Sequence, residues 1–431
     1  MRDEGKAAAN GVTATAGGAA AAGTAQPSFA ALRHPDFRVY LVTTSAAMMA
    51  DHIEHVISYW VIFEKFRSPA LAGFAVLSHW LPFLFFSVYF GAMADRYDSR
   101  RIIQVAMLLF ISVSFAWAAL IYTDTLEVWH ACVLLVVHGL AGVLWSPASQ
   151  LLIHDIVGRD NIVSAVRLNA TGKQLGVFLG PGVGGGLMLL LGPEAGLVAN
   201  CLIYLPLMWW LWRAPYAAVE RRSQQPAARP GGLADAVRTL REASANRTLF
   251  SMILLVGVTS LFIGNAFLAQ MPEYAHDLGT EKVDFSYAML LGANAAGAFV
   301  GGLILESRGL LRATPQTAIV LAIVWCFAIA GFAGTDSYPV AVALMFVAGF
   351  LNLAYTSMAQ ALVQLEAPAS LRGRMVGLFQ MAANGLRAFS GITVGLLGAL
   401  IGIHWSLALS AMALLSTVVV LLAFSMRTRP A

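Results

Sequence analysis

Charge is scarce in this chain. Asp, Glu, Lys and Arg make up only 12% of its 431 residues, against about 25% in an ordinary soluble domain. Lysine is rarer still, four residues beside 23 Arg, a bias of GC-rich bacterial genomes. The three cysteines, Cys132, Cys201 and Cys326, all lie inside apolar runs, which excludes a disulfide framework or a thiolate metal set. Alternating ten-residue segments are missing, so a membrane barrel is excluded. The first 30 residues are rich in Ala, Gly and Thr and contain no apolar core of a signal peptide; they read as a disordered tail. Nucleophile elbows and phosphate-binding loops are absent, which argues against an enzyme and against direct use of ATP.

What remains is apolar. Hydrophobic residues are 58% of the chain, arranged in runs of about 20, so the chain reads as an all-α polytopic membrane protein. Six spans are expected at 38–63, 71–93, 102–122, 128–152, 164–191 and 195–212. A polar interval from Arg213 to Arg247 follows, with seven Arg and three Pro; its part Leu233 to Ala245 suits an amphipathic surface helix. Six more spans are expected at 248–271, 285–305, 314–334, 338–364, 374–400 and 403–426. The expected organisation is a tail (1–33), a six-helix bundle (34–213), a basic cytoplasmic linker (214–246) and a second six-helix bundle (247–427). A linker of about 35 residues is too short and Pro-rich for the output domain of a sensor.

The loop Gly91-Ala-Met-Ala-Asp95-Arg96-Tyr-Asp98-Ser-Arg100-Arg101 joins the second and third spans. Its Arg cluster belongs in water, and basic loops favour the cytoplasmic side. With each span crossing once, 22 basic residues fall inside, three outside (Lys65, Arg67, Lys282) and two within spans (Lys173, Arg387). Both termini are therefore expected in the cytoplasm. The halves echo each other at an offset of about 210 residues, as in a two-repeat transporter: Leu179-Gly180-Pro181-Gly182 against Phe389-Ser390-Gly391-Ile392, and Pro147-Ala148-Ser149-Gln150 against Ser357-Met358-Ala359-Gln360.

Gly91-x-x-x-Asp95-Arg96-x-x-x-Arg100-Arg101 resembles the loop signature of the major facilitator superfamily, with Asp98 where that family carries Gly. Gly176-x-x-x-Gly180-Pro181-x-x-Gly184-Gly185 resembles the fifth-helix signature of its antiporter branch. Ser146-Pro147-Ala148-x-Gln150, Ala165-Val166-x-Leu168-Asn169 and Leu371-Arg372-Gly373-Arg374 are similar to enterobactin- and macrolide-exporter-like members. The resemblance covers about residues 35–425. It implies a rocker-switch transporter of the bacterial inner membrane, monomeric and without cofactor, that exports a small-molecule substrate, siderophore-like or a drug, as protons enter. It also implies that Asp95, with its Arg neighbours, latches the halves near the start of the eleventh span. The second-half counterpart, Glu306-Ser-Arg308-Gly309-Leu-Leu-Arg312, is degenerate, so a second latch is not expected. The glycines of the fifth span read either as a pliant element between the halves or as ordinary small-residue packing.

The least expected stretch is Asp51-His52-Ile-Glu54-His55 in the first span, roughly 20–25 Å from its start at 1.5 Å per residue. Asp51, Glu54, His55 and Ser58 share one face, expected to line the central cavity. Ionisable groups at this depth must face water or pair. Three readings stand: a protonatable coupling group, a site for a cationic or metal-bearing substrate, or a polar pair that fixes packing. The spacing is not that of a zinc protease motif, and no residue is assigned to a resident metal. Lys173 and Arg387 either favour an anionic substrate or pair with carboxylates of the first span. His138 stands before Gly139 where antiporters often carry Arg. Asn265, Asn294, Asn352 and Gln360 complete the polar groups expected in the cavity or between helices. No feature points to nucleic acid.

Overall fold

The computed structural model describes residues 28–66, 69–216, 233–264, 267, 271–278, 283–308, 311–390, 394 and 397–426. Long apolar runs satisfy their backbone internally as helices, and no strand occurs among the described residues. The first half comprises α1 (Pro35–Phe66), α2 (Pro69–Arg96), α3 (Ser99–Tyr122), α4 (Val128–Val157) and α5 (Ile162–Arg213). α5 is two spans fused across a kink. Gly192 takes φ 83° and ψ 165°, and Pro193 follows it, so the chain turns between the fifth and sixth expected spans. The amphipathic α6 (Leu233–Ala245) precedes the second half: α7 (Arg247–Phe262), α8 (Met271–Asp277), α9 (Val283–Arg308), α10 (Pro315–Ala333), α11 (Tyr338–Glu366), α12 (Arg372–Gln380), α13 (Arg387–Ser390), α14 (Leu397–Ile401) and α15 (Ile403–Met426). Eight helices among the described residues are long and apolar enough to cross a membrane.

Two spans depart from expectation. The seventh, expected as one helix over 248–271, breaks after Phe262. Gly264 adopts φ 50° and returns its N–H to the Thr259 carbonyl, a left-handed cap open to glycine. The eleventh, expected over 374–400, is α12, a π-turn at Met381–Gly385, then α13 and α14. Ser260 Oγ donates to the Ala383 carbonyl inside that π-turn at 2.7 Å, serving an acceptor that the wider turn leaves open. The expected tail also ends early. Residues 28–33 are a turn and a short 3-10 helix, Ala30–Arg33, whose Ala31 N–H donates to Ser164 Oγ at 3.1 Å. Residues 1–27 and 217–232 lie outside the described residues.

Each half has its own aromatic core. Phe37, Tyr40, Phe110, Trp145 and Tyr204 fill the first; Tyr274, Trp325, Phe332 and Tyr355 fill the second. Apolar side chains such as Leu189, Leu190, Phe327 and Val420 are exposed around the outside, as a bilayer-facing surface requires. Hydrogen bonds between the halves cluster at the end that carries Asp95.

Candidate functional site

Asp51 and Glu54 stand at the midpoint of α1. Their shared face turns into the first bundle rather than towards the second half: Asp51 is 6% exposed and Glu54 2%. That corrects the expected cavity-lining position. Burial demands partners, and His138 of α4 supplies them. Its Nδ1 lies 2.7 Å from Glu54 Oε1, and its Nε2 lies 2.9 Å from Asp51 Oδ1. The first contact is a hydrogen bond. The second has ion-pair distance but is poorly aligned, leaving Nε2 without a hydrogen-bond partner. Ser114 Oγ of α3 donates to Glu54 Oε2, and Asn200 Nδ2 of α5 donates to Ser114 Oγ at 3.3 Å. Four helices thus converge on one carboxylate.

The imidazoles at the rim are less buried. His52 Nδ1 lies 3.3 Å from Asp51 Oδ2. His55 Nδ1 donates to the Asp51 backbone carbonyl at 2.7 Å, and its Nε2 faces His79 Nδ1 of α2 at 3.2 Å. His79 is the member of this cluster that the sequence reading missed. Glycine explains how it arrives. A Cβ on Gly139 would overlap the Ser78 carbonyl oxygen, so α2 and α4 cross in near backbone contact, and the residues beside that crossing, His79 and His138, are brought together. Phe110 closes the floor, edge-on to His138 at 4.9 Å and stacked on Tyr204 at 5.6 Å.

With His138 as an imidazolium between two carboxylates, the cluster carries one net negative charge; one further proton neutralises it. An arrangement of that kind can take up and release a proton without leaving the bundle.

Neither intramembrane cation comes within ion-pair distance of this cluster, although the Asp51 charge acts on Lys173. Lys173 Nζ lies 4.8 Å from the Trp145 ring, and Arg387 Cζ lies 5.2 Å from the Trp80 ring, cation–π geometry in both cases. No carboxylate forms an ion pair with either among the described residues. The glycines of the fifth span face α1, not the opposite half. A Cβ on Gly176 would meet the backbone at Ser45 and Met49, on Gly180 the His52 side chain, and on Gly184 the backbone of Ile53; Gly185 faces open space. Pro181 is exposed. These glycines therefore set the distance between α5 and the charged turn of α1. Asn294 Nδ2 donates to the Met345 carbonyl, cross-linking α9 and α11, and Asn352 Nδ2 donates to Tyr355 Oη; both side chains are half-buried. Gln360 is half-buried, with Nε2 unpaired. Asn265 lies outside the described residues.

Two latches close the Asp95 end. In the first, Asp95 accepts the backbone N–H groups of Gly373 and Arg374 at 2.5 and 3.0 Å, at the start of α12, with Arg374 Nη1 3.9 Å away. A carboxylate is stabilised there by the helix terminus. Gly91 meets Gly373 so closely that a Cβ on either would overlap the other's carbonyl oxygen. The Arg residues of the loop are not part of this latch: Arg96 lies over Tyr97, Arg101 donates to Gln104, and Arg100 binds Asp98 and the Ala214 carbonyl. In the second latch, Ser164 of α5 donates to Glu306 of α9, and Arg167 donates to the carbonyls of Leu305 and Leu311 at 3.2 and 3.0 Å. The degenerate motif thus does form a latch, because Gly302 and Glu306 keep the spacing of Gly91 and Asp95. Gln364 Nε2 adds a bond to Gln150 Oε1 at 3.0 Å between the halves.

Membrane-length helices in two parts, latched at one end and burying charge within the first part, fit a transporter of the major facilitator type, not an enzyme. The chain belongs to the transmembrane secretion effector family, whose model matches residues 26–431. It is 26% identical to the multidrug efflux pump Tap of Mycolicibacterium fortuitum over 363 residues, 80% of this chain and 85% of that one. It is 22% identical to macrolide efflux protein A of Streptococcus pyogenes over 317 residues, 67% and 74% of the two chains. Among solved structures, the E. coli fucose:proton symporter FucP superposes with a TM-score of 0.66 at 12% identity, covering 91% of this chain and 98% of that one. The human organic anion transporter MFSD10 gives 0.64 at 13%, covering 90% and 99%.

Proposed function

We propose that this protein is a proton-coupled exporter of a medium-sized organic compound, a siderophore-like metabolite or a drug, in the bacterial inner membrane. It acts as a monomer with both termini in the cytoplasm. The observation that carries the coupling is His138 held between Asp51 and Glu54. In the outward-facing state, with both latches closed on the cytoplasmic side, a proton reaches the cluster past the half-exposed His52 and His55. It cancels the net charge, and the halves rock about their interface as Asp95 leaves Gly373 and Glu306 leaves Ser164. The proton then departs inward and substrate binds for the return. The efflux proteins to which the chain is similar support the direction.

A second reading is an importer or symporter of an organic anion. Lys173 and Arg387 favour it: each lies on an indole face, and neither has a carboxylate partner among the described residues. A metal-ion exporter or a membrane sensor stands behind both.

Proteoliposomes containing a pH-sensitive dye distinguish these readings. A macrolide, a cationic dye and a catecholate siderophore are supplied in turn. Export predicts substrate-triggered proton movement that Glu54→Gln abolishes. Substrate movement by the wild type without proton flux removes the coupling reading. Flux of substrate and proton in the same direction establishes the symporter.

A further inference from the structure

We infer that His55, His79 and His138 form a binding site for one divalent first-row transition-metal ion, Zn2+ fitting best. The three imidazoles come from α1, α2 and α4, and their ligand nitrogens all lie within 4.8 Å of one another. Tetrahedral Zn2+ with bonds of about 2.0–2.1 Å separates its ligand atoms by about 3.4 Å. His55 Nε2 and His79 Nδ1 are 3.2 Å apart, already the edge of such a tetrahedron. Closing the third nitrogen onto that edge needs a shift of about 1.4 Å or less. His138 Nε2 is the nitrogen available, since Nδ1 is bonded to Glu54. It is buried without an aligned hydrogen-bond partner and lies 2.9 Å from Asp51 Oδ1. The three nitrogens leave a fourth position to water, a donor set suited to Zn2+, Co2+ or Ni2+ and unsuited to Mg2+ or Ca2+.

The outer partners fit as well. Metal-binding imidazoles donate their second N–H to a carboxylate or a carbonyl, which fixes the tautomer. His138 Nδ1 has Glu54 Oε1 at 2.7 Å, and His55 Nδ1 has the Asp51 carbonyl at 2.7 Å. Charge also balances, because a dication beside Asp51 and Glu54 with neutral imidazoles leaves no net charge in the membrane interior. Access is from the half-exposed side of His52 and His55. Occupancy draws His138 away from Asp51 and so excludes the coupling proton; that consequence, unlike binding itself, rests on the proton-coupling reading.

The test is titration of the purified full-length protein with Co2+, whose tetrahedral complexes absorb strongly in the visible. The wild type should show this absorption at one ion per chain, reversed by Zn2+. His79→Ala and His55→Ala should each lose at least about 10-fold in affinity, and His276→Ala, at an exposed site beside Asp277, should retain it. Monodisperse elution checks folding; should one ligand variant fail it, the other decides. No tetrahedral absorption from the wild type at about 1 mM Co2+, or equal binding by folded ligand variants, overturns the site. Proton flux is read separately. A wild type that binds Co2+ and moves no protons keeps the metal site and removes the coupling; coupling without Co2+ binding does the reverse.

Discussion

The two halves cross their helices alike and fill the crossings with different chemistry. In the first half, Gly139 of α4 lies against the Ser78 carbonyl of α2. In the second, Gly349 of α11 lies against the Asn294 carbonyl of α9. The pairs are offset by about 210 residues, the spacing of the repeat. Beside Gly139 stands His138; beside Gly349 stands Ala348. Beside Ser78 stands His79; beside Asn294 stands Ala295. The first crossing therefore carries an ionic cluster, and the second carries an amide bonded to a backbone carbonyl. The latches follow the same logic, Asp95 and Glu306 each holding the opposite half. The backbone crossing is thus repeated in both halves, while the buried carboxylate–imidazole cluster at that crossing occurs in the first alone among the described residues.

The largest effect expected from this difference is at His138. His138→Leu leaves Asp51 and Glu54 buried without their counter-charge, which costs roughly 3–5 kcal/mol. Thermal unfolding in detergent at neutral pH measures it. The triple variant Asp51→Asn, Glu54→Gln, His138→Leu removes all three charges together and should recover most of that loss. If the single variant is no less stable than the triple, the three groups are not a compensated unit, and the contrast between the halves loses its physical basis.

The latches come next, and they are unequal. Asp95 accepts two backbone N–H groups with Arg374 nearby, whereas Glu306 accepts from the Ser164 hydroxyl and a single backbone N–H, that of Phe29, with Arg167 nearby. Hydrogen bonds to charged groups contribute about 1.5–3 kcal/mol, so losing the Asp95 charge should open this end at least 10-fold more often. Ser87→Cys reports this, because Ser87 is buried where Gly377 meets α2. In a background free of Cys132, Cys201 and Cys326, Asp95→Asn should speed its labelling from the Asp95 side more than Glu306→Gln does. Equal rates would make the latches equivalent and shift attention to Gln150 and Gln364.

How much of this could be read from the residues varies between the halves for the same reason. The Gly91–Asp95 latch was legible because glycine, acid and Arg spacing all recur in one loop. The Glu306 latch was not, because there only the glycine, the acid and one Arg, Arg312, keep their spacing. Asp51, Glu54 and His55 declared a shared face by spacing alone. Which neighbour that face meets was beyond local periodicity, since the answer lies in α3, α4 and α5, 60 to 146 residues away along the chain from Glu54 to Ser114 and Asn200. His79 gave no local signal as a single histidine in an apolar run. The one clue was His138-Gly139, where a small residue invites a close crossing beside a titratable one. The breaks in the seventh and eleventh spans were hidden for another reason: glycine-rich apolar sequence has the same hydropathy whether its helix is continuous or interrupted.

The smallest effect tests the backbone symmetry itself. Gly139→Ala and Gly349→Ala each place a methyl group against a carbonyl oxygen of the neighbouring helix, where backbone and not a flexible side chain must yield. Overpacking of this kind costs about 1–3 kcal/mol. Since the two crossings have the same geometry, the two losses of thermal stability should agree within about 1 kcal/mol. Their functional consequences should then diverge. Spreading α2 from α4 moves His138 and His79 away from α1, so Gly139→Ala should lower proton-coupled flux as well as stability. Gly349→Ala separates Asn294 from Met345 and touches no titratable group, so its flux should fall only as far as the folded fraction does. A Gly349→Ala protein that is as stable as the wild type would mean that the second crossing relaxes freely, and the repeat would then be symmetric in sequence offset but not in mechanical role.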